Sequence, residues 1–189
     1  MRARQADLFG QESGLPAGFL YRPALIDGAE ERRLVRHLER LEFAPFQFHG
    51  FEGKRRVAFY GSRYDFNGGG LQKAEEMPAF LLPVRDKAAS HFGLEPFAFT
   101  QVLLTEYAPG APIGWHKDRS VFGDVIGISL LSSCTFRFRR KAGAKWERQS
   151  ITLEPRSVYL LQGASRTEWE HSIPAVERLR YSITFRTLK

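Results

Sequence analysis

Residues 180–186 read RYSITFR, and the fold depends on how that run is taken. β-Branched and aromatic residues dominate it, as they do in strands. Side chains alternate along a strand, so Arg180, Ser182, Thr184 and Arg186 share one face and Tyr181, Ile183 and Phe185 the other. The second face belongs in a core. If the first is also covered, it carries two guanidinium groups indoors, and a buried arginine requires an anionic partner.

The same composition recurs upstream. FAFTQVLLTEY (97–107), VIGISLLS (125–132), CTFRFRR (134–140), QSITL (149–153) and SVYLLQ (157–162) are short runs of this kind separated by turn signals. In CTFRFRR, Cys134, Phe136 and Phe138 fall on an inner face and Arg137 and Arg139 on an outer one. In LLTEY, Leu103, Thr105 and Tyr107 point the same way. Helices come first in the chain. Asp27 with Glu30 three residues on forms a capping-box pattern, and Leu34, Val35, Leu38 and Leu41 keep helical spacing, which predicts a helix over Gly28–Leu41. A second is predicted over Ala79–His91, with Pro83 in its first turn and Gly93 ending it. Residues 45–76 read as short strands and long loops. The expected fold is an all-β core with flanking helices (α+β), an antiparallel sandwich or barrel with helices packed on one side. Residues 1–14 read as a tail and 15–189 as one domain.

A chain of 189 residues suits one domain with a sizeable core. Twenty-eight basic and 21 acidic residues leave a net charge of +7, which favours a polyanionic partner such as nucleic acid. No apolar run approaches the ~18–20 residues of a membrane span. The N-terminal stretch is too polar for a signal peptide, and the single cysteine, Cys134, makes a reducing cytoplasm the expectation. A monomer is expected.

IGWHKDRS (113–120) sets His116 and Asp118 two residues apart, so an extended segment sends both side chains to one side and Lys117 away. A hydrogen-bonded surface pair would look the same. A metal site needs a third ligand. Of the five histidines, His37 falls on the polar face of the first helix, and His49 and His91 lie near loops or a helix end. His171, in TEWEHSIP (167–174) between two predicted strands, is the remaining candidate. Two imidazoles and one carboxylate form a facial triad that leaves positions open for cosubstrate and oxygen, as in non-haem Fe(II) oxygenases. Downstream, His171, Arg180 and Ser182 resemble the His…Arg-x-Ser element of 2-oxoglutarate-dependent oxygenases. An arginine offers paired donors to the free carboxylate of a chelated dicarboxylate, and a serine hydroxyl adds another.

Together, TEYAPGAPIGWHKD (105–118), GDVIGISLLSSCTFRFR (123–139), LLQGASRTEWEHSIP (160–174), RYSITFR (180–186) and RVAFYGSRYDF (56–66) resemble the AlkB family of Fe(II)/2-oxoglutarate dioxygenases. The resemblance implies a double-stranded β-helix, or jelly roll. It implies Fe(II) held by His116, Asp118 and His171, and 2-oxoglutarate and O2 as cosubstrates. Arg180 would take the distal carboxylate, helped by Tyr107 and Ser182. Thr105 stands where many members have asparagine. Arg186 would lie near the iron-bound end of the cosubstrate or brace the iron ligands. The implied reaction hydroxylates an N-alkyl group and releases an aldehyde, with succinate and CO2 as coproducts.

Many relatives that repair methylated bases carry a further acid just after the His-x-Asp; here Arg119 and Ser120 stand there. That keeps open a second class, a 2-oxoglutarate-dependent hydroxylase or demethylase of a protein or small molecule. A non-catalytic jelly-roll module has no need of the full ligand set. Other residues favour alkylated DNA or RNA. In FRFRRKAGAKWER (136–148), Arg137, Arg139 and Arg140 approach a hairpin turn, with Glu147 the sole acid. Such a hairpin can contact phosphates, or can be an edge protected by charge. Arg55, Arg56, Phe59, Tyr60, Arg63 and Tyr64 mix cations with rings suited to an extruded base, Arg56 and Tyr60 being the leading candidates. Gln5, Leu8 and Phe9, in QADLF, resemble the peptide by which bacterial repair proteins dock on the sliding clamp.

Overall fold

The Asp27 carboxylate accepts from the backbone N–H groups of Ala29 and Glu30, both at 2.7 Å, and Glu30 accepts from the Asp27 N–H at 2.9 Å. This capping box starts helix α1 (Gly28–Leu38), which buries Leu34, Val35 and Leu38. The helix ends short of Leu41, which still packs on the same core, so the apolar period outlasts the helical backbone. Helix α2 (Leu82–His91) follows a 3-10 turn at Ala79–Leu81, carries Pro83 in its first turn and stops before Gly93, whose φ is +68°. The computed structural model describes residues 14–48, 51–64 and 70–189. The tail candidates Gln5, Leu8 and Phe9, His49, and the side chains of Arg63 and Tyr64 lie outside the described residues.

The strands, numbered along the chain, form two facing antiparallel sheets. The larger runs β1 (Phe19–Arg22), β11 (Val158–Leu161), β8 (Phe122–Leu130), β13 (Arg180–Leu188), β6 (Phe99–Tyr107), β3 (Phe51–Tyr60) and β2 (Ala44–Phe48). The smaller runs β10 (Lys145–Leu153), β9 (Cys134–Ala142), β12 (Glu170–Ile173) and β7 (Ile113–His116). A short pair, β4 (Ser62–Tyr64) and β5 (Leu71–Lys73), extends from β3. Gly61 makes that exit possible: its φ is +78°, and a Cβ there would collide with the Thr100 carbonyl oxygen. This is the expected jelly roll with helices on one side.

RYSITFR lies in β13, at the middle of the large sheet, and all seven residues are buried. Tyr181, Ile183 and Phe185 join Ile126, Ile128 and Leu104 in a core covered by α1 and α2. A second core fills the space between the sheets. There Phe136 and Phe138 of β9 meet Phe19 and Tyr159, with Phe138 edge-on to both Phe19 and Phe136 at 4.9 Å between centroids. Thus the outer face of β13 supports the helices, and its inner face carries Arg180, Ser182, Thr184 and Arg186 toward the smaller sheet. His171 does not lie between strands, as the sequence suggested, but on β12 itself.

Candidate metal and cosubstrate centre

β7 and β12 are antiparallel neighbours, and their register sets His116 opposite His171. Their ring centroids are 4.3 Å apart. Asp118 follows just past the end of β7, with Oδ2 3.9 Å from His171 Nε2. His116 Nδ1 lies 2.9 Å from the Gly114 carbonyl; with Nδ1 as donor, Nε2 keeps its lone pair for a metal. Asp118 Oδ1 accepts from Arg186 Nε at 3.0 Å and Nη2 at 2.7 Å, and Arg186 Nη1 donates to Gln101 Oε1 at 3.1 Å.

These contacts fix the charge states. Burial alone pushes the Asp118 carboxyl up, but the Arg186 guanidinium beside it holds it well below the usual carboxylate range. Burial, then the neighbouring His116, pushes His171 down to about 3, and burial lowers His116 as well. Two neutral imidazoles and an ionised carboxylate are the forms in which these residues bind metal. The three are neighbours and not a finished shell: among the described residues no group of three or more His, Cys, Asp or Glu side chains is set to hold an ion as it stands. The donor set nevertheless fits a divalent iron with open positions.

Further along the inner face of β13, Arg180 is 1% exposed. Its Nε donates to Ser129 Oγ at 3.1 Å, and its guanidinium carbon lies 5.0 Å from the Tyr107 ring centroid. Its Nη1 has no hydrogen-bond partner, and no carboxylate pairs with it among the described residues. Register places Arg180 opposite Tyr107 and Ser182 opposite Thr105 on the same face. A buried cation with an unused donor is costly unless an anion completes it. The distal carboxylate of a dicarboxylate has the charge and acceptors required.

A cavity of about 580 Å³ opens beside His116 and is lined by Arg55, Phe59, Trp115, His116, Asp118 and Arg186, among others. Arg56 and Tyr60 are not among its walls. Arg56 lies on the opposite face of β3, where it donates to Glu106 and to the Phe43 carbonyl, both at 2.9 Å, and Tyr60 packs against the helix-covered core. The register explains this: Val57 pairs with Thr105 and Phe59 with Leu103, so the odd-numbered residues of β3 share the cavity face. Arg55 takes the place expected of Arg56, its guanidinium carbon 3.9 Å from the Phe46 ring centroid. Lys117 donates to the Thr167 carbonyl at 3.0 Å and still contributes to the cavity wall, as does Arg119.

The β9–β10 hairpin forms as expected, turning at Gly143. On the outer face of the smaller sheet, cations and indoles alternate. The Arg139 guanidinium carbon lies 4.5 Å from the Trp115 ring centroid and 4.4 Å from that of Trp146, flanked by Arg137 over Trp115 and Lys141 over Trp146. Arg137 also donates to Ser172 Oγ. Acids remote in sequence join the hairpin's own Glu147 here: Glu170 pairs with Arg139, and Glu168 pairs alongside Glu147 with Arg140, which also lies over Trp169. Arg140 is thus held back against the sheet and does not project as the sequence suggested. A second hollow, of about 680 Å³, is lined by Arg139, Lys141 and Trp146 and shares Lys117 with the first.

Residues 32–186 match the family model of the 2OG-Fe(II) oxygenase superfamily. An Arabidopsis thaliana protein named as an alkylated DNA repair protein ALKBH8 homolog is 27% identical over 191 residues, covering 88% of this chain and 53% of its own. A Bos taurus protein named as alpha-ketoglutarate-dependent dioxygenase alkB homolog 7, mitochondrial, is 27% identical, covering 85% of this chain and 69% of its own. A mimivirus protein is 31% identical over 101 residues, and the chain spans about half the length of this and the plant relative. Among solved structures, OsALKBH1 superposes with a TM-score of 0.70 at 16% identity, covering 92% of this chain and 99% of that one. A 2OG-Fe(II) oxygenase from Burkholderia pseudomallei gives 0.63 at 15%, covering 90% and 85%. These two likenesses speak for the fold. The chain belongs to the 2OG-Fe(II) oxygenase superfamily, is similar within it to proteins named as AlkB homologues, and is a dioxygenase dependent on Fe(II), 2-oxoglutarate and O2.

Proposed function

We propose that this domain removes alkyl groups oxidatively from bases in DNA or RNA, with His116, Asp118 and His171 holding Fe(II). The observation that carries the iron assignment is the single cluster: two neutral imidazoles and an ionised carboxylate backed by Arg186, with His116, Asp118 and Arg186 at the wall of a cavity of about 580 Å³. The names of the plant and bovine relatives agree with this chemistry, and the plant protein is named for repair of alkylated DNA. The cation–indole row beside the cavity supports a nucleic-acid substrate, since guanidinium groups meet phosphates and rings meet bases.

Each residue has a separate task. Arg180, with Ser182, Thr105 and Tyr107 beside it, fixes the distal carboxylate of 2-oxoglutarate and so aims its other end toward the histidines. Arg186 keeps Asp118 ionised and turns one carboxylate oxygen away, leaving the other toward His171. Phe59, Trp115 and Phe122 give the cavity apolar walls that keep water from the reacting carbon. Bound Fe(II), with 2-oxoglutarate and O2, supplies the oxidation: one oxygen atom goes into succinate as CO2 leaves, and the other into the alkyl C–H bond. The resulting N–CH(OH) group breaks its C–N bond, the hydroxyl proton passes to nitrogen, and an aldehyde departs.

Arg119 and Ser120 favour attention to a second reading, hydroxylation or demethylation of a protein or small molecule, because the acid that reads a base edge in many relatives is missing. Mass spectrometry of succinate and product, after incubation with alkylated DNA, RNA, nucleosides and peptides, separates the two. Coupled succinate and aldehyde with an oligonucleotide supports the first; turnover confined to peptides or free small molecules rejects it. Docking on a sliding clamp through Gln5, Leu8 and Phe9 is a proposal from sequence alone. Calorimetry of the tail peptide with a bacterial clamp tests it, and no heat at high concentration dismisses it.

A further inference from the structure

Arg166 lies in the short helix α3 (Gly163–Thr167) and is 6% exposed. Its guanidinium meets no carboxylate among the described residues. It donates instead to main-chain carbonyls: Nε to Gly123 at 3.0 Å, Nη1 to Asp118 at 3.1 Å, and Nη2 to Arg119 at 2.6 Å and Phe122 at 2.8 Å. Two of the acceptors, Asp118 and Arg119, lie in the connection from β7 to β8, and two, Phe122 and Gly123, at the start of β8. Few backbone bonds of its own hold that connection in place, the Phe122 N–H to Arg119 at 3.0 Å and the Lys189 N–H to Val121 at 3.0 Å among them. Buried carbonyls need donors, and a planar fork of N–H groups can satisfy several converging ones at once.

α3 is itself anchored. The Ser165 N–H donates to the Ala17 carbonyl at 2.8 Å, and the Ser165 hydroxyl to the Gln162 carbonyl at 2.9 Å. Three residues after α3, β12 begins and delivers His171. Arg166 therefore ties the segment carrying Asp118 to the segment leading into His171. The β7–β12 pairing already ties His116 to His171 from the other side.

We infer that Arg166 is a positioning residue for the metal centre: by gripping the carbonyls of residues 118–123 it sets where the Asp118 carboxylate stands relative to His116 and His171. The inference rests on the proposed ligand assignment. The same grip fixes the main chain at Arg119, one of the cavity's wall residues.

The test is Mn(II) binding to metal-stripped protein, followed by the electron paramagnetic resonance of free Mn(II), with amide exchange and thermal unfolding recorded alongside. Arg166→Met should weaken Mn(II) binding about tenfold or more, in the range seen when residues behind metal ligands are lost. Amides of residues 118–123 should exchange faster while those of β13 stay protected. Arg166→Lys keeps the charge but not the fork, and should fall between the two. A merely structural role would lower the unfolding midpoint and leave the folded protein's Mn(II) affinity alone. A folded Arg166→Met with affinity within twofold of wild type overturns the inference. If that variant does not fold, Arg166→Lys decides: about threefold or greater weakening supports the inference, and wild-type affinity overturns it. If His116→Ala binds Mn(II) as tightly as wild type, the ligand assignment fails and takes the role of Arg166 with it; that outcome is separable from failure of the Arg166 step alone.

Discussion

Asp118 shows how little of this site belongs to the ligands alone. One of its oxygens is held twice by Arg186, which is steadied in turn by Gln101. Arg180 is the counterpart at the cosubstrate end, buried with a donor to spare. Arg180→Ala should raise the KM for 2-oxoglutarate about ten- to a hundredfold, the loss of roughly 1.5–3 kcal/mol from a charge-assisted bond. Mn(II) affinity should change little, and steady-state kinetics beside metal titration checks both. His171 gives a pH dependence. Buried in its neutral form, it protonates only near pH 3 when folded, against about 6.5 when unfolded. Between those values the unfolded chain binds the extra proton, so stability is present above pH 6.5 and is lost as pH falls from 6.5 toward 3. The urea midpoint of metal-free protein should therefore drop between pH 7 and pH 5, and His171→Gln should drop less; equal slopes would remove this account. At this scale the sequence singled out His116, Asp118 and His171, which the structure brings together, and the two arginines of RYSITFR, whose shared face follows from alternation. It missed Arg166 and Gln101, whose partners are carbonyls and an arginine far along the chain. It named Arg56 and Tyr60 where Arg55 and Phe59 line the cavity, because composition marks a strand as interesting but only its register with β6 decides which face looks inward.

The elements carry their own consequences. Gly127 faces Tyr159 across the β8–β11 pairing, and a Cβ there would drive into the buried phenol ring. Gly127→Ala should destabilise the protein by about 1–3 kcal/mol through overpacking, read as a lowered denaturant midpoint. On the smaller sheet, Arg137 and Lys141 make no ion pair among the described residues, whereas Arg140 is paired twice. Arg137→Ala and Lys141→Ala should each lower the slope of log binding constant against log salt for single-stranded DNA by about 0.7, and Arg140→Ala by less. Fluorescence anisotropy across a salt series measures this, and unchanged slopes in all three would clear the hairpin of phosphate contact. The long strands and both larger helices were legible because each repeats its period several times. The strands β1, β7 and β12 are four residues each, too short for a period to register. Two of them nonetheless carry the site, which is why His171 read as part of a connection.

At the scale of the molecule, the larger sheet is buried on both faces and separates two cores. One supports the helices; the other closes the two sheets beside His116, Asp118 and His171. Phe138, fully buried between the sheets, touches the aromatic cluster on which that closure depends. Phe138→Ala should cost about 3–5 kcal/mol and loosen metal binding together with the fold, as equilibrium unfolding with and without Mn(II) would show. The fold class followed from the series of short strands after the helices, and the jelly roll from the family resemblance; that both faces of RYSITFR are covered became visible only in the structure. The acids that partner the basic hairpin were not legible, because Glu168 and Glu170 reach it only when β12 pairs with β9. The central claim is that His116, Asp118 and His171 form the iron site of a nucleic-acid dealkylase. Its most direct measurement is the yield of aldehyde and succinate from an alkylated oligonucleotide, with Fe(II), 2-oxoglutarate and O2 supplied to wild type, His116→Ala and Asp118→Ala. The account predicts equal amounts of the two products from wild type and neither from the variants; wild-type yields from both variants, each shown to be folded, would contradict it.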